Sequence, residues 1–262
     1  MMKKTAAVIL IFTVLFSLCS CGKEPVDDSL SVEAMTAAEK TNAIKKYSAD
    51  FLLEVTNAET DALVVFAQGN FDIDKSGSLM MSGTMVQTVD SSPASLYMAY
   101  SGGKYYVKSG EISTYTELAE EVFLSQFLCS ETLVFDKITE ITKKSNGTGG
   151  TVYAFRADCK EMQDKLLPLI DTDVFYYIGI KKLQTEKLFA DDLRGEYIVN
   201  DETGLLKSRT VEYREYAYDT PPYYPNSAVA EDALKVTFNI KIRMTYKSLD
   251  GSAAVVLPDF VK

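Results

Sequence analysis

The chain has 262 residues, of which 47% are hydrophobic and 24% charged, a balance that predicts a packed globular body. Its 37 acidic residues outnumber 27 basic ones, and the resulting net charge of -10 argues against binding to nucleic acid or to anionic lipid headgroups. The chain contains no histidine, which excludes Ser-His-Asp and Cys-His catalysis and His-ligated zinc.

The N-terminus is built like an export signal. Lys3 and Lys4 precede an apolar run over residues 6–16. The run is shorter than the roughly 20 apolar residues that a membrane-spanning helix needs. A cleaved signal without lipid, or a single spanning helix, is the alternative interpretation.

The end of this segment, Leu18-Cys19-Ser20-Cys21-Gly22, resembles a bacterial lipobox, with an apolar residue three positions before Cys21 and a small one directly before it. We therefore expect residues 1–20 to be a lipoprotein signal peptide and Cys21 to carry a diacylglycerol. Two acyl chains hold a protein stably on a membrane, whereas one binds only marginally. The prediction is a protein anchored by lipid to the extracytoplasmic side of the cell membrane.

A short polar tether is expected at residues 21–31, followed by one domain over residues 32–262. Ser31 is a candidate N-cap for an amphipathic helix that continues to Tyr47, and this helix is predicted to cover the open face of a sheet.

The remainder predicts an antiparallel meander, because runs with a period of two alternate with turn sequences such as Ser101-Gly102-Gly103. The predicted hairpins join residues 62–73 to 78–89, 94–100 to 104–108, 132–141 to 151–157 and 196–199 to 205–216, and a last strand follows at 234–246.

Two stretches return to helical spacing, at residues 114–127 and 159–170, whereas residues 173–188 are compatible with either strand or helix. The predicted fold class is therefore α+β: a curved antiparallel sheet, or half-barrel, with helices covering its concave face.

Cys129 and Cys159 are the cysteines that remain after Cys21, and they flank the third predicted hairpin. A hairpin brings its outer ends together, and exported proteins commonly carry disulfides, so a Cys129–Cys159 bridge is predicted. Two buried free thiols are the alternative.

The order of these elements behind a lipobox resembles the LolA/LppX-like group of exported proteins over residues 32–260. Hairpin sequences such as Gly195-Glu196-Tyr197-Ile198-Val199 and Thr203-Gly204-Leu205-Leu206-Lys207 carry the resemblance. It implies a half-barrel that holds an acyl chain or another apolar molecule between sheet and helices. In the last strand, the residues expected to line such a site share one face: Val236, Phe238, Ile240 and Ile242.

Other candidate sites have plainer interpretations. The Asp72–Gly77 stretch resembles the start of a calcium loop, but Gly83 replaces the bidentate glutamate, so a hairpin turn is predicted. Acidic pairs are expected by chance among 37 acids, and neither an enzyme nor a cofactor or metal is predicted. Those pairs are Glu120 with Glu121, Asp171 with Asp173, and Asp191 with Asp192.

The chain has sixteen tyrosines, and the proline-rich loop at residues 218–224 contains Tyr218, Tyr223 and Tyr224. Such a stiff loop exposes aromatic rings at low entropic cost and could contact a protein partner. Two functions are thus predicted: binding of a lipid-like ligand, or, alternatively, a non-enzymatic interaction protein of the cell envelope with a filled core.

Overall fold

A computed structural model of the chain describes residues 27–89, 92–121, 123, 137–158, 193–218 and 235–261. These residues form eleven antiparallel strands in one curved sheet, and one helix. The strands are β1 (Lys46–Asn57), β2 (Leu63–Asp74), β3 (Met80–Val89), β4 (Ser92–Ser101), β5 (Lys104–Ser109), β6 (Ile112–Glu117), β7 (Ile138–Ser145), β8 (Gly150–Ala157), β9 (Leu193–Asn200), β10 (Leu206–Tyr218) and β11 (Lys235–Ser248).

The strand order is β6-β5-β4-β3-β2-β1-β11-β10-β9-β8-β7. Two meanders therefore meet in the middle of the sheet, where the first strand pairs with the last. Leu53 of β1 lies opposite Ile242 of β11, and Val55 lies opposite Ile240. Among the described strands, β6 and β7 form the two edges.

Glycines set the hairpin turns that the sequence predicts. Gly102 and Gly103, at φ of 59° and 76°, connect β4 to β5, and Gly204, at 67°, lies between β9 and β10. Glycine adopts this left-handed backbone region without the steric penalty that a Cβ brings. The predicted hairpins at β2–β3, β4–β5 and β9–β10 are confirmed.

The predicted α+β class is wrong, because the described structure is nearly all sheet and its one helix does not cover the face as the prediction required. Part of the error lies at residues 114–127, where the sequence predicts a helix. Gly110, at φ 57°, turns the chain instead, and Ile112–Glu117 pairs with β5 as edge strand β6. Pairing with the edge of the sheet thus takes the first part of the predicted helix, whereas Glu120, Glu121 and Phe123, in its second half, are helical.

The helix, α1, spans Asp28–Asn42. It begins before the predicted Ser31 cap, because the Asp27 side chain accepts a hydrogen bond from the Ser29 backbone N–H (3.0 Å) and caps the first turn. Lys75 closes the other end by donating from Nζ to the Asn42 carbonyl (2.6 Å). Tyr47, predicted as the last helical residue, belongs to β1.

Helix α1 packs over one half of the sheet, against β7, β9 and β10. Small residues, Ala34, Ala37 and Ala38, are buried in this contact and let the backbones approach closely. Thr41 is also buried: its hydroxyl donates to the Ala37 carbonyl (2.8 Å) and accepts from the Leu206 backbone N–H (2.8 Å). This bond fixes the end of the helix to the start of β10.

The Asp74 carboxylate lies at the end of β2, 2.8 Å from Lys46 Nζ. This ion pair, with hydrogen bonds from Ser76, holds the pKa of Asp74 at about 2, against roughly 3.9 for a free aspartate. Because the folded-state pKa is depressed, the interaction stabilises the fold above about pH 4 and is lost as the pH falls towards 2.

We expect Asp74→Asn to flatten the loss of stability between about pH 4 and pH 2. The measurement is the urea midpoint as a function of pH. Asp250, whose pKa is also about 2 through hydrogen bonds from Ser252 and Ser248, provides the comparison: Asp250→Asn should remove a separate share of the same acid dependence. An unchanged pH profile in Asp74→Asn would contradict the assignment.

Within the part of the chain that the structure describes, no helix is long and apolar enough to cross a membrane. The C-terminal residues 249–261 form no strand. They run back over the sheet, burying Ala253 and bringing the Phe260 ring to 5.8 Å from Lys108 Nζ on β5.

Candidate functional site

One face of the sheet is apolar, and we call it the inner face because α1 packs on it. Alternate residues of each strand point to this face, as the pleat requires. In the middle strands they include Phe51, Leu53 and Val55 of β1, Ile240, Ile242 and Met244 of β11, and Val211 and Tyr213 of β10.

The structure places three of the four predicted lining residues on the inner face. Phe238, Ile240 and Ile242 belong to or pack against the hydrophobic core, and each lies opposite a residue of β1 in register. Val236 belongs to β11, but its side chain lies outside the described residues. The prediction that these residues share a face is therefore confirmed for three of them, whereas ligand binding by them stays a prediction.

The two flanks of the inner face are covered. On one side α1 is held by Glu33, whose carboxylate accepts from Tyr153 Oη (2.7 Å) and pairs with Lys143 Nζ (2.6 Å). On the other side the buried Phe123 ring stacks on Tyr100, with 4.3 Å between the ring centroids. These contacts leave the middle strands between two covered regions.

On these middle strands three large apolar side chains are only partly buried: Phe51 and Ile242 near the strand centres, and Phe238 opposite Asn57, the last residue of β1. Their neighbours on the same face, Leu53 and Ile240, are 1% and 6% exposed. Aromatic and branched aliphatic side chains that keep partial exposure on an apolar face can gain free energy by contacting a further apolar group.

Two described polar side chains are buried on the inner face among these apolar residues. Arg209 donates from Nη2 to the Met244 sulfur at 3.6 Å. Gln87 lies in register with Ala67 on β2 and Ala94 on β4. The sequence does not predict that Gln87 is buried, because in this stretch the polar residue faces the core and its apolar neighbour Val86 faces solvent.

The opposite, outer face is charged over β1, β10 and β11, whereas β3 and β4 expose Val86 and Tyr97 on it. Cross-strand pairs include Lys241 with Glu212 (3.0 Å) and Lys247 with Asp50 (2.7 Å). Two shallow depressions of about 420 and 510 Å³ lie on this face, both lined by Arg194, Glu212 and Lys241 among others. Such a charged lining suits water and ions and not hydrocarbon.

The Asp72–Gly77 stretch forms the hairpin turn that the sequence predicts. Asp72 accepts from the Ser48 hydroxyl, and Asp74 pairs with Lys46, so both carboxylates are engaged within the sheet. Among the described residues, no cluster of three acidic, cysteine or histidine side chains could hold a metal ion.

Of the remaining predicted sites, only the Glu120–Glu121 pair lies within the described residues. Glu120 lies near the start of β3, and its Oε2 accepts a hydrogen bond from the Leu79 backbone N–H (3.5 Å). Glu121 is exposed. Outside the described residues are Cys21, Cys129, Cys159, the pairs Asp171 with Asp173 and Asp191 with Asp192, and the loop that follows Tyr218 with Tyr223 and Tyr224. The lipidation, the disulfide and the loop contact therefore stay predictions.

Comparison with solved structures finds proteins that align with most of this chain at low sequence identity. The chain is similar to the Mycobacterium tuberculosis lipoprotein LppX, with 12% identity and a TM-score of 0.48 over 84% of this chain and 94% of that one. LprF from Mycobacterium bovis has 12% identity and a TM-score of 0.47 over 88% and 96%. A LolA-superfamily protein from Nitrosomonas europaea has 11% identity and a TM-score of 0.27 over 87% and 96%.

No family model matches the chain, and no curated protein matches it in sequence. The LppX and LolA names that the order of elements suggested do recur among the similar structures. Because the sequence identities and the TM-scores are low, the function has to be inferred from the side chains of this chain.

Proposed function

We propose that this protein is a non-enzymatic lipoprotein of the cell envelope, anchored through a lipid on Cys21, that binds an apolar, lipid-like ligand on the inner face of its sheet. The mature domain is residues 32–262, preceded by the tether at 21–31. The ligand-binding part of the proposal depends on one observation: Phe51, Phe238 and Ile242 keep partial exposure on the middle strands of an apolar face whose flanks are covered.

The physical case for an apolar ligand is this partial exposure of large apolar side chains. A side chain such as Phe or Ile gains roughly 1.5 to 3 kcal/mol when it is fully removed from water. Three half-buried side chains on the middle strands of the inner face leave part of that gain available to a bound hydrocarbon. On the same strands the outer face carries charged pairs such as Glu212 with Lys241.

The experiment uses diphenylhexatriene, a hydrocarbon fluorophore that brightens when it leaves water. The protein should bind it at micromolar concentration, and Phe238→Asp should weaken binding by at least roughly tenfold, because a carboxylate desolvated against hydrocarbon lacks a partner. Thr237→Asp is the matched control: it places the same charge one residue away on the outer face and should leave binding unchanged.

Thermal unfolding of both variants is measured alongside, so that loss of binding can be distinguished from loss of the fold. Wild-type protein that fails to brighten the fluorophore would contradict the proposal. The envelope interaction protein with a filled core would then be the better account, and its predicted contact is the loop with Tyr218, Tyr223 and Tyr224.

A further inference from the structure

The edge strand β6 lacks the features that normally keep the edge of a sheet from pairing with another chain. Lysines, prolines or a covering element usually protect such edges. The opposite edge, β7, is protected in this way, because it carries Lys143 and Lys144 and α1 packs against it. Strand β6 has no lysine, arginine or proline, and Glu117 is its one charged residue. Its Ile112 and Tyr115 side chains are 75% and 52% exposed, so this edge is open to a further strand.

The hydrogen bonds between β5 and β6 show which backbone groups face the open edge. The Leu118 N–H donates to the Gly103 carbonyl (2.9 Å), directly beyond the last pair of the ladder. Hydrogen-bonded and non-hydrogen-bonded pairs alternate in an antiparallel ladder, so the even-numbered residues of β6 bond to β5. The odd-numbered residues turn their N–H and C=O groups to the open edge: Ser113, Tyr115 and Glu117. Among the described strands, none pairs with β6 on that side.

We propose that β6 pairs with β6 of a second copy of this chain in antiparallel orientation, with Tyr115 opposite Tyr115 of the second copy. The two sheets then continue into one another, and the outward N–H and C=O groups of both edges bond to each other. This pairing depends neither on the lipid anchor nor on the apolar ligand.

The side chains of β6 complement one another in this register. Ser113 lies opposite Glu117 of the second copy, and Thr114 lies opposite Thr116. The two Tyr115 rings form an aromatic pair across the strands. Aromatic pairs and pairs of hydroxyl side chains each stabilise neighbouring antiparallel strands. No two charged residues of β6 face each other in this arrangement.

Charge complementarity favours the same register. Lys108 of β5 lies beside Ser113 on the outer face. Two strand spacings, or about 10 Å, then separate Lys108 from Glu117 of the second copy, a distance that their extended side chains can bridge. A shift that centres the two-fold axis on Thr114 would place Glu111 opposite Glu117, and like charges directly opposite destabilise a pair of strands.

Cysteine cross-linking of the purified full-length protein tests the pairing and its register. Thr114 and Thr116 of the second copy form a non-hydrogen-bonded pair, with about 4.5 Å between Cα atoms, which is within the range of a disulfide. Under mild oxidation a mixture of Thr114→Cys and Thr116→Cys should give a disulfide-linked dimer. Either variant alone should give no more dimer than wild type, because two copies of one position lie about 8 Å apart.

A pair of charge variants tests the same contact without cross-linking. Tyr115→Glu places two carboxylates opposite each other and should raise the dissociation constant of the dimer, measured by analytical ultracentrifugation, roughly fivefold. Tyr97→Glu is the matched control, since Tyr97 is 50% exposed on β4, away from the edge, and it should leave the dissociation constant unchanged. Each new carboxylate faces a lysine of its own chain, Lys104 or Lys108, so both variants should keep the wild-type melting temperature within a few degrees.

A cross-linked dimer that forms in the mixture only, together with a dimer that Tyr115→Glu weakens and Tyr97→Glu does not, is the expected result. Self-pairing is contradicted if the mixture gives no more dimer than its components, or if the two glutamates weaken the dimer equally. If the purified mixture stays monomeric while Thr114→Cys becomes linked to a different protein in intact cells, the edge takes a partner's strand and self-pairing is overturned.

Discussion

Replacing Cys21 by serine should move the protein from the membrane fraction to the soluble fraction. The thiol is the expected acylation nucleophile, and residues 6–16 form an apolar run too short to span a bilayer in its place. Two acyl chains give stable anchoring, so their loss should release essentially all of the protein. The measurement is fractionation of cells that express each form, combined with metabolic labelling by a radioactive fatty acid.

Cys19→Ser is the matched control, because Leu18 occupies the position where a lipobox needs a small residue before an acylated Cys19. This variant should stay labelled and membrane-bound. Equal fatty-acid labelling of Cys21→Ser and wild type would contradict the assignment of Cys21.

The second large effect is expected at Gly195, in the middle of β9. Its inner side is occupied by the Phe155 ring of β8, which would overlap a methyl group built on Gly195. The same ring meets Tyr197 edge-on, at 5.2 Å between centroids and 85° between planes, and is therefore held in place. Gly195→Ala must displace a packed aromatic ring, and overpacking of this kind destabilises by about 1 to 3 kcal/mol.

Gly77→Ala serves as the comparison, since a Cβ at Gly77 meets no atom within 4 Å, and its effect on the melting temperature should be small. In a Phe155→Leu background the penalty of Gly195→Ala should shrink, because the smaller side chain vacates the space. If Gly195→Ala has the same melting temperature as the wild type, the Phe155 ring can move aside without cost, which would contradict this prediction.

The local features of the fold follow from the sequence where turn chemistry and alternation agree. Gly102 and Gly103 between two alternating runs were sufficient to predict the β4–β5 hairpin, and the alternation in β11 was sufficient to place Phe238, Ile240 and Ile242 on one face. These signals depend only on neighbouring residues, so no knowledge of the rest of the sheet was needed.

Long-range pairing explains most of what the sequence could not predict. Nothing local in Leu53 or Ile242 indicates that β1 and β11 adjoin, nor that residues 112–117 would add to β5 as an edge strand instead of starting a helix. The close contact between Gly195 and the Phe155 ring became apparent only in the structure, because the two residues are 40 positions apart in the chain.

The most direct test of the apolar site is native mass spectrometry of the protein purified from the membranes of its own cells. Two added masses are predicted: a covalent lipid on Cys21 that survives activation, and an apolar, lipid-like molecule that dissociates on gentle activation. The soluble Cys21→Ser form should retain the second mass and lose the first, and Phe238→Asp should lose the second. A chain that carries its covalent lipid alone under the gentlest conditions would contradict the apolar ligand on the inner face.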